Sequence, residues 1–393
     1  MIYIHIPFCR SFCTYCDFYS EVAAKCRKAE EQSRQQALFN EFGEALAVEA
    51  QQRRGEMSDE VNTLYIGGGT PSVLPLSVFG RLLGALRSCG HGGPYEEFTV
   101  EVNPEDIVEK GHDYVEGLLK LGVNRISMGV QSFDDGILKW MNRRHDSATA
   151  RRAYSILEEA GVSNISIDLI FGLSQLSDSQ WKDALAKALD ISDRGGLPKH
   201  ISSYQLSVEL GSALAGLVEK GLWEEASEEL CAQQYAILCE TLASSGYEHY
   251  EISNFALSGY EARHNSAYWK HVPYVGLGPG AHSAISHPGA HCRISRKWNN
   301  PDLNAYLEAA RNGDFSAVSD GEILTPDQYA MEHVMLGMRT SQGVESDFLK
   351  KNCDAEGLAK AFADGNLTTL PSGYVRIPES RFFISDSIIA EII

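Results

Sequence analysis

The sequence predicts an α/β fold built on a parallel sheet, followed by a smaller mixed region. Two observations carry this. Short runs rich in β-branched residues, bounded by Gly, Pro or Asn, recur six times before about residue 210. Amphipathic stretches of helical length separate them, and that alternation puts parallel strands inside and helices outside.

The strand-like runs are IYIHIP (2–7), NTLYIGG (62–68), EFTVEVN (97–103), NRISMGV (124–130), NISIDLIFG (164–172) and HISSYQLSV (200–208). Helices are predicted over 28–54, 76–88, 105–122 and 178–190. After about residue 210 the rhythm changes. A helix is expected over 224–246, then an aromatic, His- and Gly-rich segment to about 298. Helical stretches near 301–312 and 326–340 follow, and LTTLPSGYVRIPESRFFIS reads as a closing hairpin or wing. The expected division is 1–295 and 296–393. Six strand–helix units suit an open doubly wound sheet or an incomplete barrel, and the pattern alone does not choose.

The chain has 393 residues, 44% of them hydrophobic, enough for a sizeable core. Its formal net charge of −19 speaks against non-specific nucleic-acid binding, which needs a basic surface. No basic region precedes the first strand, and no apolar run is long enough to span a bilayer. A cytoplasmic protein is expected, with contact at the inner membrane face left open. Most of the nine cysteines are scattered, which suits a reducing compartment better than a disulfide framework.

Cys9, Cys13 and Cys16 are the exception: C-x-x-x-C-x-x-C directly after the first strand. A zinc site normally shows four ligands, and no fourth is evident here. Three thiolates suit a [4Fe–4S] cluster with one iron left open to a ligand. A zinc knuckle completed by a distant His, or three unrelated buried cysteines, are the alternatives. Phe8, Phe12, Tyr15 and Phe18 would shield such a cluster. The C-terminal end of a parallel sheet is also where α/β folds place their chemistry.

YIGGGTP (65–71) ends the second strand with three glycines, which let backbone approach a ligand. Glu101, Gln131, Arg143 and Asp168 sit in or just beyond strands three to five. Burying a carboxylate such as Asp168 is unfavourable unless it is paired. A salt bridge with Arg125 or Arg143 would explain one of these residues; a polar ligand explains all four.

These residues resemble the radical S-adenosylmethionine (SAM) proteins, and the run YIHIPFCRSFCTYCDF is similar to the subgroup holding oxygen-independent coproporphyrinogen III dehydrogenase (HemN) and the haem chaperone HemW. The resemblance implies a partial (β/α)6 TIM-like barrel with a smaller α+β C-terminal domain. It implies a [4Fe–4S] cluster on Cys9, Cys13 and Cys16. It also implies SAM contacts at Tyr3, Tyr15, Gly68, Gly69, Thr70, Glu101, Gln131, Arg143 and Asp168. Coproporphyrinogen dehydrogenases carry Cys-Gly-Cys at the end of the triad, where this chain has Asp17 and Phe18 after Cys16. That departure points to the haem-chaperone branch.

Residues 249–291 hold six of the twelve histidines, and HNSAYW (264–269) is similar to the H-N-x-x-Y-W motif of that branch. Haem takes a proximal imidazole and an apolar pocket, so His264, Tyr268 and Trp269 are the haem candidates. YVGLGPGAHS (274–283) lacks the spacing and context of a dinucleotide fingerprint and reads as a loop near a cofactor. His287, His291 and Cys292 give only weak zinc spacing. The implied function is haem binding and delivery to apo-haemoproteins, among them respiratory enzymes at the membrane. A flavodoxin- or ferredoxin-like reductant and a homodimer fall within that expectation. Porphyrinogen decarboxylation and radical chemistry on an unrelated substrate are the competing readings.

Overall fold

The computed structural model describes residues 1–23, 28–58, 60–286 and 294–393. Cys26, His287, His291 and Cys292 lie outside the described residues. The six expected strands all form: β1 (Ile2–Ile6), β2 (Thr63–Gly68), β3 (Glu97–Val102), β4 (Arg125–Gln131), β5 (Ile165–Phe171) and β6 (His200–Gln205). They lie side by side in chain order, all parallel. Three short strands extend this sheet: β7 (Glu248–Glu251), β8 (Asn254–Ala256) and β9 (Val275–Leu277). Among the described residues the sheet has nine strands, in the order β9-β1-β2-β3-β4-β5-β6-β8-β7. β9 pairs parallel with β1, whereas β8 pairs antiparallel with β6 and β7.

Successive side chains of a strand point to opposite faces, and here the faces differ in chemistry. One face carries Ile2, Ile4, Ile6, Leu64, Ile66, Phe98, Val100, Ile126, Met128, Ile167 and Leu169, all buried in a single apolar core. The helices α1 (Ala29–Gln52), α2 (Leu76–Ser88), α3 (Pro104–Lys120), α4 (Asp135–Trp140), α5 (Ser147–Glu159) and α6 (Asp178–Leu189) follow β1 to β5. The other face carries Tyr3, Tyr65, Thr99, Glu101, Arg125, Ser127, Gln131, Asp168, Ser202 and Tyr204. The curled sheet therefore has an oily outside and a polar inside. This is the partial (β/α)6 barrel, and its polar interior is what a ligand-binding barrel needs.

α7 (Ala213–Glu219), α8 (Glu228–Ser244) and α9 (Arg263–Trp269) follow β6. A second sheet is formed by β10 (His282–Ser286), β11 (Ile294–Asn299) and β12 (Ser319–Ile323), all antiparallel. The division expected at 295/296 falls within β11. Helix α10 (Leu303–Asn312) returns to pack on α1. The hinge of this packing is Glu49, buried at the C-terminal turn of α1. Its carboxylate accepts from Tyr306 Oη at 2.7 Å, Asn299 Nδ2 at 2.7 Å, the Gly278 amide at 2.9 Å and Arg53 Nη1 at 3.3 Å. In the expected closing wing, Thr368–Thr369 and Tyr374–Arg376 do form a hairpin. Residues 379–392 are helical instead, with Phe382, Ile388, Ile389 and Ile392 buried. Among the described residues no helix is long and apolar enough to cross a membrane.

Candidate cofactor site

The loop after β1 carries the three cysteines to the open end of the barrel, and the chain staples it there. The Thr70 amide donates to Phe8 O at 2.7 Å and the Gly69 amide to Ile6 O at 2.8 Å, locking the loop to the glycine turn after β2. On the other side Thr14 N donates to Met141 O at 3.0 Å, and Asn142 Nδ2 to Phe12 O at 2.7 Å. Arg143 Nη1 reaches Cys13 Sγ at 3.5 Å, and Cys9 Sγ lies 3.3 Å from Thr70 Oγ1. Burial raises the Cys9 thiol and pushes Cys16 up to about 12. In the ligand-free chain these two thiols therefore favour the protonated form. Among the described residues no three Cys, His, Asp or Glu side chains converge closely enough to hold a single metal ion.

The glycine turn is shaped by what it must avoid. Gly68 has φ +106°, and a Cβ there would lie 2.7 Å from the His5 ring. A Cβ on Gly69 would meet Phe8 O at 2.8 Å, Ile6 O at 2.9 Å and Cys9 Sγ at 3.1 Å. Only bare backbone lets this turn lie against the cysteine loop.

Below the loop lies a cavity of about 420 Å³, within the range of small-molecule sites. Cys9, Cys13, Tyr15, Cys16, Gly68, Gly69, Thr70, Glu101, Gln131, Arg143 and Asp168 all line it. Glu101 accepts from Tyr65 Oη at 2.7 Å and the Gly68 amide at 3.1 Å, and Asp168 accepts from Ser127 Oγ at 3.1 Å. Burial raises both carboxyls, Glu101 to about 7 and Asp168 to about 6. Gln131 has φ +66° at a bulge in the β4–β5 pairing, a strained setting that turns its side chain into the cavity. Arg143 Nη2 is fixed by Asn103 Oδ1 and Gly129 O, each at 2.7 Å.

Neither Arg125 nor Arg143 comes within 4 Å of the Asp168 carboxylate, so the internal salt bridge that sequence allows does not form. Arg125 is instead buried on the cavity wall with its Nε unpartnered. Asn103 and Arg125 were not singled out as ligand contacts. Their signal in the sequence was a polar side chain at an inward-facing strand position or just after one.

Tyr3 stands apart from the cavity. It lines a second pocket with Tyr268, on the β9 side of β1, and its hydroxyl lies 3.0 Å from His5 Nδ1. His264 lies in neither pocket. It is fully buried at the opposite end of the barrel, where Glu97 accepts from the Arg263 and His264 amides at 2.8 and 2.9 Å. Both its ring nitrogens are engaged: Nδ1 with Thr63 Oγ1 at 2.8 Å, Nε2 with Tyr268 Oη at 3.0 Å. Trp269 ends α9, half-buried.

Three cysteines over a polar barrel interior, with a glycine turn against them, define the radical SAM class. Residues 3–188 match the radical SAM superfamily. Over its whole length the fold is similar to that of coproporphyrinogen III oxidase (HemN) from Escherichia coli. The TM-score is 0.78, with 21% identity, 99% of this chain and 89% of that chain covered. In sequence the chain is 34% identical to heme chaperone HemW of Lactococcus lactis subsp. lactis over 342 residues, covering 87% of this chain and 82% of that protein. It is 32% identical to heme chaperone HemW of Escherichia coli K12, covering 79% and 78%. The chain belongs to the HemW family of the radical SAM superfamily.

Proposed function

We propose that this protein binds haem and hands it to apo-haemoproteins, and that it carries a [4Fe–4S] cluster on Cys9, Cys13 and Cys16 with SAM in the cavity beneath. The observation that supports the cofactor half is the meeting of three thiols, with no fourth among the described residues, at one polar cavity. A cluster held by three thiolates supplies an open iron for the ligand and an electron. Around it the chain's own residues have plain tasks. The Gly68–Thr70 backbone fits a polar ligand end, Glu101 and Asp168 offer negative charge to a cation, and Arg143 faces the thiols. The haem half is supported by likeness to the haem chaperones over most of the chain. Membrane respiratory enzymes as acceptors, a flavodoxin- or ferredoxin-like reductant, a homodimer, a cytoplasmic location and the division at 295/296 belong to the same proposal.

The test is anaerobic iron–sulfur reconstitution followed by haem titration with and without SAM. Expected are iron and sulfide for one cluster, haem uptake, and an affinity for one ligand that depends on the other. A preparation that holds zinc or takes up no haem overturns the reading. The likeness of the fold to HemN supports a second reading, oxidative decarboxylation of coproporphyrinogen. Asp17 and Phe18, in place of the Cys-Gly-Cys ending, stand against it. Conversion of coproporphyrinogen III by the reconstituted, reduced protein would establish it.

A further inference from the structure

The second pocket, about 290 Å³, opens beside the cysteine loop. Its walls are aromatic: Tyr3, Phe18, Tyr19, Tyr268 and Tyr274, with His282 at the rim. Tyr268 and Tyr274 meet edge to face, their centroids 4.6 Å apart. Phe18 is 65% exposed, two residues after Cys16, and it lines the cluster cavity as well. Phe12, 52% exposed on the same loop, adds to the apolar surface there.

His282 differs in kind from the other imidazoles nearby. His5 has Nε2 on Tyr19 O at 2.8 Å and Nδ1 on Tyr3 Oη, and both nitrogens of His264 are taken. His282 is exposed, and its ring nitrogens have no hydrogen-bond partner among the described residues. Its ring stacks on Trp298, with centroids 5.9 Å apart and planes 23° apart. Stacking fixes the plane of an imidazole and leaves its nitrogen-bearing edge free. Partial burial of the ring against Trp298 and the nearby Arg296 hold its pKa below the ordinary value, which favours the neutral form that ligates metal. In the β10–β11 ladder Arg296 pairs with Ala284, two residues along from His282 on the same face. Its guanidinium is ion-paired to Glu332 at 2.8 Å and to Glu322 at 3.9 Å.

We propose that haem lies across the open mouth of this aromatic pocket, with one edge of the macrocycle inside it and His282 as an axial ligand to its iron. The proposal rests on the haem-binding reading above and names where that haem sits. The imidazole gives its lone pair to iron in exchange for water, with no change of oxidation state. The macrocycle packs on Phe18, Tyr268 and Tyr274, against the same loop that carries the three cysteines.

Ferric haemin is titrated anaerobically into the reconstituted full chain, His282→Ala and His282→Met, and read by Soret difference spectra and electron paramagnetic resonance. Expected is an imidazole-ligated spectrum in the wild type. His282→Ala should lose it and regain it with free imidazole, and His282→Met should show a shifted spectrum. Unchanged far-ultraviolet dichroism and cluster absorbance would show that the variants are folded. A wild-type haem spectrum in either variant overturns His282 as the ligand and leaves the haem-binding reading standing. No haem uptake by the wild type overturns both.

Discussion

The imidazole of His264 stands 2.8 Å from the hydroxyl of Thr63, across 201 residues of chain, and so ties α9 to the floor of the barrel. The Tyr65 ring lies over it, with centroids 5.1 Å apart. His264→Ala would leave Thr63 and Tyr268 unpaired in a dry site, at roughly 1–3 kcal/mol for each orphaned group. We expect the variant to be about 2–4 kcal/mol less stable in urea unfolding and to keep the wild-type haem spectrum. A change below about 0.5 kcal/mol would mean that the floor does not depend on this residue.

The same burial makes His264 a pH-dependent element. Desolvation lowers its pKa from 6.5 to about 3. The unfolded chain therefore takes up a proton there below pH 6.5 that the folded chain refuses. Stability from this group is complete above 6.5 and is lost as pH falls toward 3, at about 1.4 kcal/mol per unit. His264→Gln, which does not titrate, should lie well below wild type at pH 7.5 and approach it at pH 4.5. A constant gap between their urea midpoints would contradict this.

The barrel was legible because its strands obey one rule: apolar β-branched residues on one face, polar residues on the other. Ile126, Met128 and Val130 alternate with Arg125, Ser127 and Gln131, so the inward set could be read residue by residue. That is why Glu101, Gln131 and Asp168 line one cavity, which Arg143 reaches from the turn after α4. The window from 249 to 298 was less legible. β8 and β9 have three residues each and are held by pairing with β6 and β1, not by their own propensity. Nor does the spacing of HNSAYW reveal that α9 turns His264 inward as a floor while Tyr268 reaches another pocket.

Glu49 offers a test of how the C-terminal region is held. Its side chain is fully buried and gathers Arg53, Gly278, Asn299 and Tyr306. Arg53 is itself buried, with Nη1 also donating to Gly276 O. Glu49→Ala strands the Tyr306 hydroxyl and the Gly278 amide, whereas Arg53 keeps Glu56 at 2.7 Å and Asn299 keeps Gly278 O at 2.9 Å; at roughly 1–3 kcal/mol for each orphaned donor the loss is about 2–4 kcal/mol. Reduced stability in urea, with earlier proteolytic cleavage after residue 299, is expected. Wild-type resistance would show that α10 is held by apolar packing alone.

Gly69→Ala probes the turn against the cysteine loop. Two backbone carbonyls lie within 2.9 Å of the new methyl, and neither can swing aside as a side chain would. The loop must shift with Cys9. We expect a folded chain that retains less iron and sulfide after reconstitution, by roughly half or more, because the methyl has no room. Gly84→Ala, where nothing lies within 4 Å, is the control and should retain the wild-type content. Equal content in the two variants would mean that the turn tolerates a side chain.

The two carboxyls of the cavity should make ligand binding pH-dependent. Burial raises Glu101 to about 7 and Asp168 to about 6, so both are largely protonated at pH 5.5 and ionised at pH 8. In the ligand-free chain their stabilising contribution is present below about 4 and is lost as pH rises through 6 and 7, since ionising them in a dry cavity is unfavourable. A cationic ligand reverses that preference. SAM brings a sulfonium and an ammonium group, so its affinity should rise with pH across this window, by up to about tenfold per unit for each carboxyl that must ionise. Glu101→Gln removes the higher of the two titrations. The rise should then be shallower and centred near 6, with weaker binding at pH 8. Equilibrium dialysis of reconstituted wild type and variant against SAM from pH 5.5 to 8 measures it; a flat profile in the wild type would show that neither carboxylate meets the cation.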